Sequence, residues 1–218
     1  MLEREWLTCP NPYRMMSALQ GRVSDRKWRL LACACYRRIW HLLTDAGSRR
    51  AVEAAEEYAD RPPGDAYLRD AGLGGVYAPD EPLSTVVRYV QFAGPNTALD
   101  HALDSLYRAA EMVDTAAPRP RKADIATERR AQAELVREIF PYPFRPITTD
   151  SGWCAWQGGR VTQVADAIYD SRAYGDLPVL ADALEEAGCT SIPLLDHLRS
   201  GGDHYRGCWA LDVVVGKG

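Results

Sequence analysis

The chain lacks any run approaching the ~20 consecutive apolar residues that a spanning helix needs. Its most apolar early stretch, Leu30 to Cys35, is bounded by Arg29 on one side and by Arg37 and Arg38 on the other. The opening residues carry Glu3, Arg4 and Glu5 and do not follow the basic-then-apolar order of a secretory leader. These absences lead to the expectation of a cytoplasmic protein without a membrane partner. There is no Cys-x2-Cys pair, no nucleophile elbow, and no glycine loop followed by Lys-Ser/Thr. Gly72-Leu73-Gly74-Gly75 and Gly201-Gly202 are glycine loops without the spacing of a phosphate cradle. Neither sign of charge dominates: 26 Lys and Arg face 30 Asp and Glu, a net charge of −4. Histidine is scarce, with four in 218 residues, yet two of them, His197 and His204, fall close together.

What is present suffices for a folded core. Apolar residues make up 46% and charged residues 26%, which excludes a wholly disordered chain. The periodicity predicts an all-α protein, an irregular multi-helix bundle of stacked helical hairpins joined by Pro/Gly-rich loops. Three blocks are expected, 1–60, 61–122 and 123–218, within one compact domain.

In the first block, Glu3 to Leu7 reads as a short helix stopped by Cys9-Pro10-Asn11-Pro12, and Tyr13 to Leu19 as another, ended by Gly21. Ser24 and Asp25 are N-cap candidates for a longer helix. Its stripe is Trp28, Leu31, Cys35, Ile39, Leu42 and Leu43. Ser48 is expected to cap a second helix, Arg49 to Ala59, with Ala51, Val52, Ala55 and Tyr58 inward, which makes an antiparallel hairpin. In the second block, Ser84 to Phe92 fits a strand or a helical turn, and a helix is expected from Asn96 or Thr97 to Ala116. The third block opens with a helix from Ala123 to Phe140, followed by an extended strap from Pro141 to Pro146. Short helices are then expected at Val161 to Ser171, Pro178 to Ala187 and Ile192 to Arg199. Pro178 suits a first helical turn and Gly188 a C-cap. Cys208 to Val215 reads as a buried helix or strand.

Charge alternates along the chain. Residues 1–50 hold ten Lys/Arg against four Asp/Glu, and residues 51–117 hold four against twelve. Residues 118–146 hold seven against four, and residues 147–218 hold five against ten. Basic helices packed near acidic ones would neutralise this alternation internally. The other outcome is a basic face, built from Arg26, Lys27, Arg29, Arg37 and Arg38, for an anionic partner such as a nucleic acid.

Six cysteines are read as free thiols or metal ligands in a reducing compartment. Cys33 and Cys35, two apart on a helix, point to different faces. The strongest constellation is Cys189, His197, His204 and Cys208, four soft or borderline ligands within one short stretch that could close a tetrahedral zinc site. The competing reading is two buried cysteines and two helix-end histidines. Weaker signals are Cys208 with His204 and Asp203 as a thiol nucleophile, base and orienter, and an acidic face of Asp182, Glu185 and Glu186. His41 and His101 stand alone.

Two segments resemble a paralogous protein family abundant in planctomycete bacteria. The first is Ser24-Asp25-Arg26-Lys27-Trp28-Arg29-Leu30-Leu31-Ala32-Cys33-Ala34-Cys35-Tyr36-Arg37-Arg38-Ile39-Trp40. The second runs from Leu177 through Leu180 to Cys189, then His197, His204 and Arg206-Gly207-Cys208-Trp209. The resemblance brings no biochemical activity and no catalytic or binding residue with it. The function expected from the residues is therefore a non-enzymatic interaction or adaptor protein that docks a protein partner. The alternatives are a nucleic-acid-associated protein using the basic helix, and a zinc-stabilised or metal-dependent enzyme.

Overall fold

The computed structural model describes residues 1–44, 46–61, 109–110, 122–140, 143 and 147–217. Among these residues there are ten α-helices and no strand, so the fold is all-α. The helices are α1 (Glu3–Thr8), α2 (Pro12–Leu19), α3 (Asp25–Arg38), α4 (Ala46–Ala59), α5 (Lys122–Ile139), α6 (Ser151–Ala155), α7 (Arg160–Ser171), α8 (Leu177–Glu186), α9 (Ile192–Arg199) and α10 (Trp209–Val215). No helix of the described residues is long and apolar enough to cross a membrane. The segment 84–92, the glycine loop at 72–75, His101 and most of the strap at 141–146 lie outside the described residues. Of the helix expected to end at Ala116, only residues 109–110 are described, and both are helical and buried.

The chain divides into two compact units, Met1–Val136 and Arg137–Gly218, with the divide falling inside α5. In the first unit, Asn11 caps α2 by accepting from the Arg14 N–H at 3.3 Å, and Pro12 opens the helix. Helices α3 and α4 pair antiparallel. Arg26 at the start of α3 meets Asp60 just past the end of α4, Arg49 near the start of α4 reaches back to the Leu43 carbonyl beyond the end of α3, and Cys33–Val52 and Arg37–Glu56 join the stretch between. Small residues permit the close approach, with Ala32, Cys33, Ala34, Ala51 and Ala55 all buried at the contact level of the core.

The stripe of α3 is wider than its spacing indicates. Leu30, Ala32, Cys33, Ala34 and Tyr36 are buried alongside Trp28, Leu31 and Cys35. The helix stops at Arg38, and a 3₁₀ turn over Trp40–Leu42 leads to α4. Helix α4 begins at Ala46, so Ser48 sits buried inside it instead of capping it, and Tyr58 is only half-buried.

The second unit is built around α7, which packs on α6, α8 and α10, while α9 packs on α8 and α10. Its core includes Val161, Ile168, Leu177, Leu180, Leu184, Leu194, Leu198 and Leu211. Helix α8 ends in a Schellman motif. Gly188 takes φ +90°, its N–H donates to the Glu185 carbonyl at 3.0 Å, and the Cys189 N–H donates to the Leu184 carbonyl at 2.9 Å. That motif turns the Cys189 side chain into the core beneath the helix end, where it is 3% exposed.

Candidate metal centre

Four potential ligands of the second unit converge on one point: Glu138, His197, His204 and Cys208, whose ligand atoms all lie within 4.8 Å of one another. Three of them belong to the sequence-predicted set. Cys189 is not in the group, because the Schellman turn commits it to the core, and Glu138 stands in the fourth place.

Each ligand is delivered by a distinct local device. Glu138 occupies the last turn of α5, on the line Ala131, Leu135, Glu138, spaced i, i+4, i+7 along one face. His197 lies in the last turn of α9, one residue before the buried Leu198. His204 follows the exposed Gly201-Gly202 turn, and Cys208 is the residue from which α10 starts. Trp209 flanks the group, with its ring 5.0 Å from that of His197.

The distances suit a cation. His197 Nε2 is 3.0 Å from Glu138 Oε2, and His204 Nδ1 is 3.1 Å from Glu138 Oε1. Cys208 Sγ lies 3.3 Å from His197 Nε2 and 3.9 Å from His204 Nδ1. Tetrahedral zinc with bonds of ~2.0–2.3 Å separates neighbouring ligand atoms by roughly 3.3–3.7 Å. Of the four separations, the Cys208–His197 one falls in that range and the Cys208–His204 one lies just above it, while the two to Glu138 are hydrogen-bond lengths made by its two different oxygens, so an ion entering the cluster would spread these groups by a few tenths of an ångström.

Proton counting points the same way. The outer nitrogen of His204, Nε2, is 3.2 Å from the Ser200 carbonyl, which can only accept. Nε2 therefore carries the hydrogen in that contact, and Nδ1 turns its lone pair inward unless the ring is doubly protonated. The inner face then gathers two carboxylate oxygens, two imidazole nitrogens and a sulfur. Either extra protons or a cation must reconcile these acceptors.

The metal-free electrostatics show the proton solution. Burial works against the charged form of His204, but the Glu138 carboxylate outweighs it and holds the imidazole above its ordinary range. Burial likewise pushes Glu138 up, and hydrogen bonds from His197 and His204 more than reverse this, leaving its carboxyl below the usual range. Burial and then the Glu138 charge push the Cys208 thiol well up. Of the Cys208, His204 and Asp203 grouping, Cys208 and His204 meet here, with Sγ 3.9 Å from Nδ1, and Asp203 is not in the cluster.

The other sequence-predicted groups are engaged elsewhere. Arg37 forms a two-pronged pair with Glu56, at 2.9 Å and 2.8 Å, and its guanidinium lies 4.1 Å from the Trp40 ring centroid. Arg26 pairs with Asp60 at 2.8 Å, and Arg38 with Glu128 at 3.0 Å. Arg29 lies over the Tyr58 ring, and Lys27 is buried. The five side chains of the expected basic face are thus drawn into the first unit. On the acidic face of α8, Asp182 and Glu185 both bind Arg199. His41 sits exposed in the 3₁₀ turn.

Glu138 was the residue that local spacing could not find, since it precedes the other ligands by a long stretch of chain. Its signal is a carboxylate lying on the continuation of an apolar helical line. The Glu138, His197, His204 and Cys208 cluster can hold a metal ion. No family model, curated protein or solved structure matches this chain.

Proposed function

We propose that this chain is a non-enzymatic helical module whose second unit is stapled by one zinc ion. The observation that carries the reading is the convergence of Glu138, His197, His204 and Cys208, whose ligand atoms all lie within 4.8 Å of one another. The donor chemistry supports zinc, since two imidazoles, one thiolate and one carboxylate are borderline-soft ligands that zinc accepts together. Burial supports a structural role. The side chains of Glu138 and His204 are 8% and 5% exposed, and that of His197 is 19% exposed. An ion there ties the end of α5 to α9, to the loop after it and to the start of α10.

Metal analysis of protein purified without an affinity tag of histidines tests the reading. One zinc per chain is expected, removable with a strong chelator and restored by zinc salts. Restoration at free zinc about 1,000-fold above the dissociation constant stabilises the unit by roughly 4 kcal/mol, read as a rise in thermal midpoint. Protein that binds no stoichiometric zinc after exposure to excess metal overturns the reading.

A further inference from the structure

The zinc reading leaves open how the ion is held, and on this the cluster is informative. We infer that the centre is closed, with all four positions filled by Glu138, His197 Nε2, His204 Nδ1 and Cys208, and that it selects tetrahedral, thiolate-accepting divalent ions over oxygen-seeking ones. The inference rests on the zinc-binding reading above and adds the coordination mode.

Three observations carry it. The first is the asymmetry of the two histidines. His204 presents Nδ1 to the cluster because Nε2 is occupied at 3.2 Å by the Ser200 carbonyl, with the Ser200 hydroxyl at 3.5 Å. His197 presents Nε2, at 3.0 Å from Glu138 and 3.3 Å from Cys208. The Ser200 carbonyl is thus a positioning group that fixes the tautomer in which His204 binds, as outer partners of metal-bound histidines do.

The second is that Glu138 is held to one role. Its Oε1 accepts from the Tyr205 backbone N–H at 3.4 Å while also facing His204. With Oε1 engaged by the backbone, Oε2, which faces His197 Nε2 at 3.0 Å, is the oxygen left for the ion. The third is enclosure. Cys208 is fully buried, the Glu138 and His204 side chains are nearly so, and Trp209 lies beside His197, the most exposed of the four, with ring centroids 5.0 Å apart. Catalytic zinc keeps an open position for water, whereas structural zinc does not.

Coordination balances simply. As the metal–sulfur bond forms, the S–H bond of Cys208 breaks, its electron pair goes to the metal and its proton leaves to the buffer. The imidazole nitrogens donate lone pairs, and any proton on His204 Nδ1 leaves in the same way. No redox partner is needed. Magnesium and calcium prefer six or more oxygen ligands and compete poorly for such a set.

Cobalt(II) added to the metal-free full-length chain is the test, with cobalt content and the absorption spectrum read together. The intense visible bands of four-coordinate cobalt and a near-ultraviolet sulfur-to-cobalt charge-transfer band are expected. About a thousandfold excess of magnesium or calcium leaves both unchanged. Nitrogen NMR of ¹⁵N-histidine-labelled zinc protein should find one imidazole bound through Nδ1 and the other through Nε2. Cys208→Ser should lose the charge-transfer band, and Cys189→Ser should keep it. Weak visible absorption typical of five- or six-coordinate cobalt, a cobalt-bound water revealed by enhanced water-proton relaxation, or both histidines bound through Nε2, overturns the closed arrangement even if cobalt is bound one to one. Absence of any bound metal instead overturns the zinc reading itself. The wild-type spectrum decides between these outcomes whether or not the variants fold.

Discussion

Replacing Arg37 with methionine should destabilise the first unit far more than replacing its partner Glu56 with glutamine. The two side chains share hydrogen bonds of 2.8 Å and 2.9 Å, but their surroundings differ. The Glu56 side chain is 4% exposed and that of Arg37 is 20% exposed. Arg37→Met leaves a buried carboxylate without either hydrogen bond, and breaking a buried pair from one side costs about 3–5 kcal/mol. Methionine keeps an apolar stem beside Trp40, which places the loss near the lower end of that range, about 3 kcal/mol. Glu56→Gln keeps one acceptor, and the freed guanidinium reaches water or Glu53, already 4.0 Å away. A net loss of about 1 kcal/mol is expected there, the size of one ordinary hydrogen bond.

The double variant should cost less than the sum of the two, because both single changes remove the same pair of hydrogen bonds. Urea denaturation followed by circular dichroism measures all three, with the slope checked for constancy. Equal losses for the two single variants, or an Arg37→Met loss below about 1 kcal/mol, would show that water screens the pair.

Metal affinity should rise with pH. In the metal-free chain, burial and Glu138 keep the Cys208 thiol protonated at neutral pH, so binding must release its proton. That sign predicts at least about a tenfold gain in affinity per pH unit between roughly pH 6 and 8. Competition with a calibrated chelator at several pH values reads it, and a flat profile counts against Cys208 as a ligand. Cys189→Ser should retain one metal per chain and lose only stability, about 1 kcal/mol for exchanging a buried sulfur for a hydroxyl that the Ser191 backbone can still meet. Loss of the metal in that variant would make Cys189 a ligand after all. Gly188→Ala meets no atom within 4 Å, so its cost is conformational, about 1–2 kcal/mol for an alanine forced to φ +90°. An unchanged urea midpoint would mean that the helix end relaxes without the left-handed turn.

Helix positions were most legible where glycine and proline punctuate the chain. Pro178 and Gly188 punctuate α8, and the observed ends of α7, α8 and α9 fall within about one residue of those expected. The end of α3 was less legible. Ile39 and Leu43 are buried as their spacing implies, but the helix has already given way to a turn, because an apolar period reports burial and not continuity of the backbone. The candidate site was legible in its local part only. His197, His204 and Cys208 sit within one stretch, where spacing is informative. Glu138 needed a fold to bring it near, and Cys189 needed a turn geometry to take it away.

That distant carboxylate also constrains how the protein can be divided in the laboratory. Fragments beginning at residue 147 would contain α6 to α10 and the Val161–Val214 core cluster of the second unit, yet carry only three of the four donors. A cut between Val136 and Arg137 falls just ahead of the missing one, so a few residues at the leading edge decide whether an excised piece can chelate fully.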